Sequence, residues 1–254
     1  MEAISLYVRT RRSAGYSPAT LRQFSYQLNR FGTWFGPRSV AEVNLHDLRD
    51  FVAGFDRLKA QSLGHVVRIL RGFFRWLFEE EFIPRNPALK LKEPKAPKSV
   101  PKALNFVELE LLRDACHSPV EHALLEFLFA TGCRISEAQG VDRDQIEWDR
   151  KCVLVCGKGQ KEREVYFGAR CALWPRRYLK TRNDSDQALF ATTRHAHRMS
   201  TWHMRSIIKA VAGRCGLAKK VSPHIMRHTL ATTLLNQGAD LVMISRKRRS
   251  GTHT

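Results

Sequence analysis

The sequence predicts a mainly α protein with a small antiparallel β-sheet, built as a helical amino-terminal domain followed by an α+β domain. Three observations lead there. Apolar residues recur at three- and four-residue spacing over long stretches of both halves. Extended segments occur only together, near Gln145 to Trp148, Lys151 to Cys156 and Arg163 to Phe167, with Gly157-Lys158-Gly159 turning between the last two. Residues 90–102 hold five lysines, three prolines and one acid, a composition that cannot bury a core. The expected organisation is a helical domain over 1–89, a basic Pro/Lys linker over 90–102 and a second domain over 103–254.

In the first domain, Ser17-Pro18 is a cap followed by a first-turn proline. The stripe Leu21, Phe24, Leu28 and Phe31 follows, extended by Trp34 and Phe35 to a stop at Gly36-Pro37. A short helix carries Leu45, Leu48, Phe51 and Val52. A longer one over about 62–80 carries Val66, Ile69, Leu70, Phe73, Phe74, Leu77 and Phe78. Its interleaved Arg68, Arg71 and Arg75 fit either a solvated face or a phosphate-facing stripe. The second domain opens at Asn105 with Glu108 three residues on, a capping-box pattern. A buried helix over about 120–131, with Leu124, Leu125, Leu128 and Phe129, stops at Thr131-Gly132. After the extended segments, helices are expected near 170–180, 203–215 and 223–236.

Of 254 residues, 43 are Lys or Arg and 24 Asp or Glu, a formal charge of +19. An excess of this sign attracts polyanions and favours counterion release from nucleic acid. It is shared along the chain: 15 basic against 9 acidic residues up to position 93, and 28 against 15 beyond it. No apolar run reaches the length of a membrane span and no amino-terminal signal pattern is visible, so a cytoplasmic protein is expected. Six cysteines without a CxxC pair read as reduced thiols. Cys152 and Cys156, on one face of an extended segment, read as core packing rather than as a metal site.

Four basic residues stand where the chain enters or leaves regular structure: Arg134, Lys158, His224 and Arg227. Arg134 follows the stop at Gly132 and fits a structural salt bridge as well as a cleft residue. Ser222-Pro223 starts the last strong helix, and three- and four-residue spacing puts His224, Arg227 and His228 on one side. A metal site there lacks the glutamate of HExxH, and Arg227 would repel a cation. Two arginines and a lysine match the needs of a phosphodiester: forked hydrogen bonds to nonbridging oxygens, and a general acid for the leaving oxygen. A histidine can exchange the nucleophile's proton. This scheme needs no cofactor and no metal.

At these residues the sequence resembles the tyrosine recombinases of the phage-integrase or chromosome-dimer-resolving type. The resemblance rests on TGCRISEA at 131–138, CGKGQKEREVYF at 156–167 and SPHIMRHTLATTLLNQGADL at 222–241. It implies a SAM-like core-binding domain ahead of a catalytic domain, clamping double-stranded DNA from opposite sides. It also implies that Arg134 and Arg227 hold the scissile phosphate, Lys158 is a general acid in a β-hairpin, and His224 is base-like. Family members cleave one strand by tyrosine attack, forming a 3′-phosphotyrosyl link, and four protomers exchange strands in pairs.

The pattern departs from the family after GADL. The position at which the resemblance implies a histidine is Ser250, and the implied tyrosine falls past Thr254. The tyrosines present are Tyr7, Tyr16, Tyr26, Tyr166 and Tyr178; Tyr166 reads as a packing residue. His253 stands in an unrelated RKRRSGTHT context. The expectation is a recombinase catalytic domain lacking its carboxy-terminal end, impaired in tetramer assembly. It would act as an inactive DNA-binding module or survive as a remnant.

Overall fold

The computed structural model describes residues 2–95, 103–157 and 162–239, and the chain divides into two compact units, Met1–Ser99 and Val100–Thr254. The first is four helices: α1 (Glu2–Ser13), α2 (Pro18–Phe35), α3 (Leu45–Ala53) and α4 (Ala60–Glu79), with a 3-10 turn at Val40–Glu42. Helix α2 starts where Ser17 accepts the Thr20 N–H, and α3 where Asn44 accepts those of His46 and Asp47. Leu28, Leu48, Leu70, Phe73, Phe74 and Leu77 are fully buried. The ring of Phe31 meets Phe51 and Phe74 edge-on at 5.2 and 5.7 Å and stacks on Phe35 at 5.6 Å, an aromatic core that adds directional contacts to burial.

Two features of this unit differ from the sequence expectation. The bundle begins earlier, with α1, whose buried residues are Ile4 and Tyr7 alone; a two-residue stripe beside Arg9, Arg11 and Arg12 gives little periodic signal. Trp34 and Phe78 are exposed although they continue the apolar runs, because each stands one position off the buried stripe, beside the buried Phe35 and Leu77. The chain stays attached to the bundle beyond α4: Leu91 is buried and Arg68 pairs with Glu93.

The second unit contains α5 (Phe106–Asp114), α6 (Pro119–Thr131), α7 (Ile135–Gly140), a 3-10 turn at Arg143–Gln145, then β1 (Ile146–Glu147), β2 (Cys152–Cys156) and β3 (Glu162–Tyr166). Helices α8 (Ala169–Lys180), α9 (Thr201–Arg214) and α10 (Pro223–Asn236) complete it. The strands form an antiparallel sheet in the order β1-β2-β3, with Val153 opposite Val165 and Val155 opposite Arg163. At the centre is α6, buried from Ala123 to Leu128, which packs against α8, α9, α10 and β3; a helix apolar on nearly every side can only be an interior one. Its one buried acid, Glu126, takes two hydrogen bonds from Arg113 of α5 at 2.5 and 3.1 Å.

Strand polarity corrects two readings. Val153, Val155 and Val165 point inward, so Cys152, Leu154 and Cys156 share the outer face; Cys152 is covered there and Cys156 is exposed. Cys156 is therefore not a core residue. Tyr166 lies on the outer face of β3, 49% exposed, with its hydroxyl donating to Glu164 at 2.8 Å, so it is not a packing residue either. On the same face Glu147, Cys152 and Glu164 approach one another, and Arg150 donates to both carboxylates at 3.0 and 3.2 Å.

Leu124 has no solvent exposure and sits in the middle of α6. Its replacement by Ala is expected to destabilise the second unit by about 2–5 kcal/mol. Denaturant unfolding should show the transition of that unit moving to lower urea while that of the first unit stays in place.

Candidate functional site

The α6–α7 turn is built around Gly132. Helix α6 ends with Gly132 at φ 58°, and the Gly132 N–H donates to Leu128 at 3.1 Å; glycine enters this left-handed region without a Cβ clash. Thr131 closes the last turn onto Phe127 and accepts the Cys133 N–H at 3.3 Å. A Cβ on Gly132 would stand 2.7 Å from Leu230 of α10, so the absent side chain also lets α10 seat against the turn. Arg227, on the first turns of α10, donates to the Gly132 carbonyl.

The same turn releases Arg134 as the residue that caps α7. Helix α10 is started by Ser222, which accepts the Ile225 N–H at 3.3 Å, with Pro223 in its first turn. Arg134, His224 and Arg227 consequently line one cleft of about 790 Å³, walled by the α6–α7 turn, the inner side of α9 and the start of α10. His224 is exposed and Arg227 half-buried. Lys158 lies outside the described residues, in the segment joining β2 to β3, and His253 lies outside them as well.

Four further cations that the sequence reading passed over line the cleft: Arg205 and Lys209 of α9, and Lys219 and Lys220 of the loop before α10. A spacing of four residues on one helix was the available signal for Arg205 and Lys209. With Arg134 and Arg227 they make six lysines and arginines, and no carboxylate is among the described lining residues. Lys219 is anchored, donating to Glu108 at 2.8 Å and to the Ala103 carbonyl at 3.2 Å. The hydrogen bond from Lys219, with that of the Asn105 backbone, lowers the Glu108 carboxyl below its usual range.

Behind the cleft lies Glu137, absent from the sequence reading as a functional residue although it stands three positions after Arg134. Its side chain is 3% exposed, and it bonds the backbone N–H and Nη1 of Arg134, both at 2.7 Å. Arg163 of β3, itself 5% exposed, donates to both oxygens at 3.1 and 2.6 Å. Burial pushes the Glu137 carboxyl upward, but the hydrogen bonds from Arg163 and Arg134 outweigh it and bring it down to about 2. Arg134 keeps 53% of its side chain exposed, so it is oriented from behind and open in front. Cys133 next to it is buried, which pushes its thiol up to about 11 and leaves it a packing residue.

None of the five tyrosines lines this cleft. Tyr178 is buried, its hydroxyl on the Ala191 carbonyl at 3.1 Å, and Tyr166 is on the outer sheet face; Tyr7, Tyr16 and Tyr26 belong to the first unit.

Comparison with known proteins gives the arrangement its family. The model of the phage integrase family matches residues 97–247, more than half of the chain, and that of the phage integrase amino-terminal SAM-like domain matches 6–81. The chain belongs to the phage integrase family of tyrosine recombinases. Among its relatives, tyrosine recombinase XerC of Oceanobacillus iheyensis is 32% identical over 253 residues, covering 92% of this chain and 82% of the relative. Tyrosine recombinase XerD of Proteus mirabilis is 33% identical over 247 residues, covering 91% and 78%. In fold, the chain is similar to a lambda integrase dimer bound to a COC′ core site, at TM-score 0.81 and 15% identity, covering 100% of this chain and 94% of that one. The XerA recombinase structure aligns at TM-score 0.55 and 22% identity over 97% and 88%. The family is one of DNA-binding, site-specific recombination proteins, and no helix among the described residues is long and apolar enough to cross a membrane.

Two outcomes follow from this geometry. Replacing Gly132 with Ala forces a side chain into the left-handed region, a cost of about 1–2 kcal/mol, and displaces Leu230; the thermal midpoint of the second unit should fall. For Glu137 the folded carboxyl titrates at about 2 against an ordinary 4.5, so its contribution is complete above 4.5 and is lost as the pH falls toward 2. Glu137→Gln should therefore flatten the decline of thermal stability across that window, measured by circular dichroism melts at stepped pH.

Proposed function

We propose that the chain binds duplex DNA and holds one phosphodiester in the cleft of the second unit. The observation that carries this reading is the convergence of Arg134, His224 and Arg227, from turns nearly a hundred residues apart in sequence, in one cleft with six lysines and arginines and no described lining carboxylate. In this reading Arg134 and Arg227 grip the nonbridging oxygens and stabilise the charge that develops on phosphorus. In the family's cleavage reaction the position of His224 serves to move the proton of the attacking hydroxyl, and that of Lys158 to protonate the leaving 5′-oxygen. In that family reaction the phosphotyrosyl link conserves the bond for religation without an external energy source.

The domains divide the work: 1–89 contacts the core site, 90–102 is a basic linker suited to the phosphate backbone, and 103–254 supplies the phosphate cleft. The relatives' solved structures include a lambda integrase dimer on a core site and a lambda integrase tetramer on a Holliday junction, which supports assembly of several protomers on DNA. The working compartment is the one that holds DNA, which fits the expected cytoplasmic location.

Binding and cleavage separate in this polypeptide. In-line attack needs a phenol oxygen next to phosphorus, and none of the five tyrosines lines the cleft, so we read the 254-residue chain as a binding module that does not cut. A gel-shift series beside a nicked suicide substrate tests both halves. Retarded DNA without a covalent protein-DNA band is expected; a covalent band lost on Arg227→Ala would overturn the second half. Arg134→Ala should weaken duplex binding roughly tenfold and lower the slope of log affinity against log salt by about 1. An unchanged slope would overturn the first half.

A further inference from the structure

Arg163 occupies a position that ordinarily takes an apolar residue. It faces inward on β3, opposite Val155, in a strand whose other inward residue is Val165. Its guanidinium donates to both oxygens of Glu137, and the four hydrogen bonds described at that carboxylate fall two on each oxygen. Oε1 accepts Nη1 of Arg163 and Nη1 of Arg134; Oε2 accepts Nη2 of Arg163 and the backbone N–H of Arg134.

We propose that Arg163 is a positioning residue for Arg134, fixing through Glu137 the direction in which the Arg134 guanidinium faces the cleft. The inference rests on the phosphate-binding role of Arg134 argued above. A carboxylate on its own turns easily about its last torsion, which has broad wells. Two parallel donors from a rigid planar fork fix that plane, which a single ammonium cannot do. With the plane fixed, Arg134 is held at its backbone and at one nitrogen while more than half of its side chain stays open. The entropy of ordering a long side chain is then lost on folding rather than on binding phosphate. Arg163 is buried and Arg134 is not, so of the two guanidiniums it is that of Arg134 that faces the cleft. Strand β3 and the α6–α7 turn, separate in sequence, thus share one buried anion.

Arg163→Lys keeps the charge and removes the fork. Its effect is read by fluorescence anisotropy on a short mixed-sequence DNA duplex, in the native background and with Arg134→Ala. The expected result is about three- to tenfold weaker binding in the native background and no further loss once Arg134 is Ala, since residues acting through one group are not additive. The salt slope should drop as it does for Arg134→Ala. A penalty of equal size in both backgrounds, or none in either, overturns the proposal, because a merely structural role lowers binding whatever stands at 134. Failure of the underlying reading looks different: Arg134→Ala itself leaves binding unchanged. If Arg163→Lys lowers the unfolding midpoint, the pair Glu137→Gln with Arg163→Met, which buries no lone charge, is run through the same cycle with the same expectation and the same overturning result.

Discussion

The second unit depends on the close approach of two helices at Gly132. Helix α10 carries His224 and Arg227, and it seats against the end of α6 where Gly132 has a left-handed backbone and no side chain to meet Leu230. Arg227 fastens the contact from the other side by bonding the Gly132 carbonyl, one of the groups that a helix end leaves without an internal partner. The turn that terminates the central helix therefore also sets the distance between the two arginines of the site.

A second constraint is electrostatic. A cleft with so many cations is self-repelling, and the acids that temper it are held outside its lining. Glu137 sits beneath Arg134 and Glu108 restrains Lys219 from α5. Each of these carboxylates does two things: it orients a cation by hydrogen bonds, and its own ionisation is favoured by the charge it holds. The buried Arg163–Glu137 pair adds little net stability compared with apolar packing, because desolvation offsets attraction; the value of these contacts is in direction.

Much of this was legible in the residues. Helices α2, α3, α4, α5, α6, α9 and α10 follow from apolar stripes and from the caps at Ser17, Asn105 and Ser222, and the antiparallel sheet follows from short extended runs around a glycine turn. Helix α1 was not legible, because Ile4 and Tyr7 make too short a stripe among arginines, and α7 was not because its few residues are defined by the turn before it. At the site, Arg134, His224 and Arg227 could be named from position and residue type. Glu137, Arg163 and the loop lysines could not: their importance comes from which oxygen meets which nitrogen across folded segments, and a one-dimensional pattern does not record that. Strand polarity was misjudged at Cys156 and Tyr166 for a related reason, since period-two alternation says which residues share a face but not which face is inside.

The cleft, with no carboxylate among its described lining residues, has one more consequence. Its attraction is indiscriminate: RNA, free polyphosphate and any stretch of duplex would be drawn to it alike, since a field of one sign reads charge and carries no code. Whatever selectivity the protein has must be exercised elsewhere, by surfaces that feel groove width or base edges. The arginine pocket can then remain the same whichever address the rest of the molecule reads.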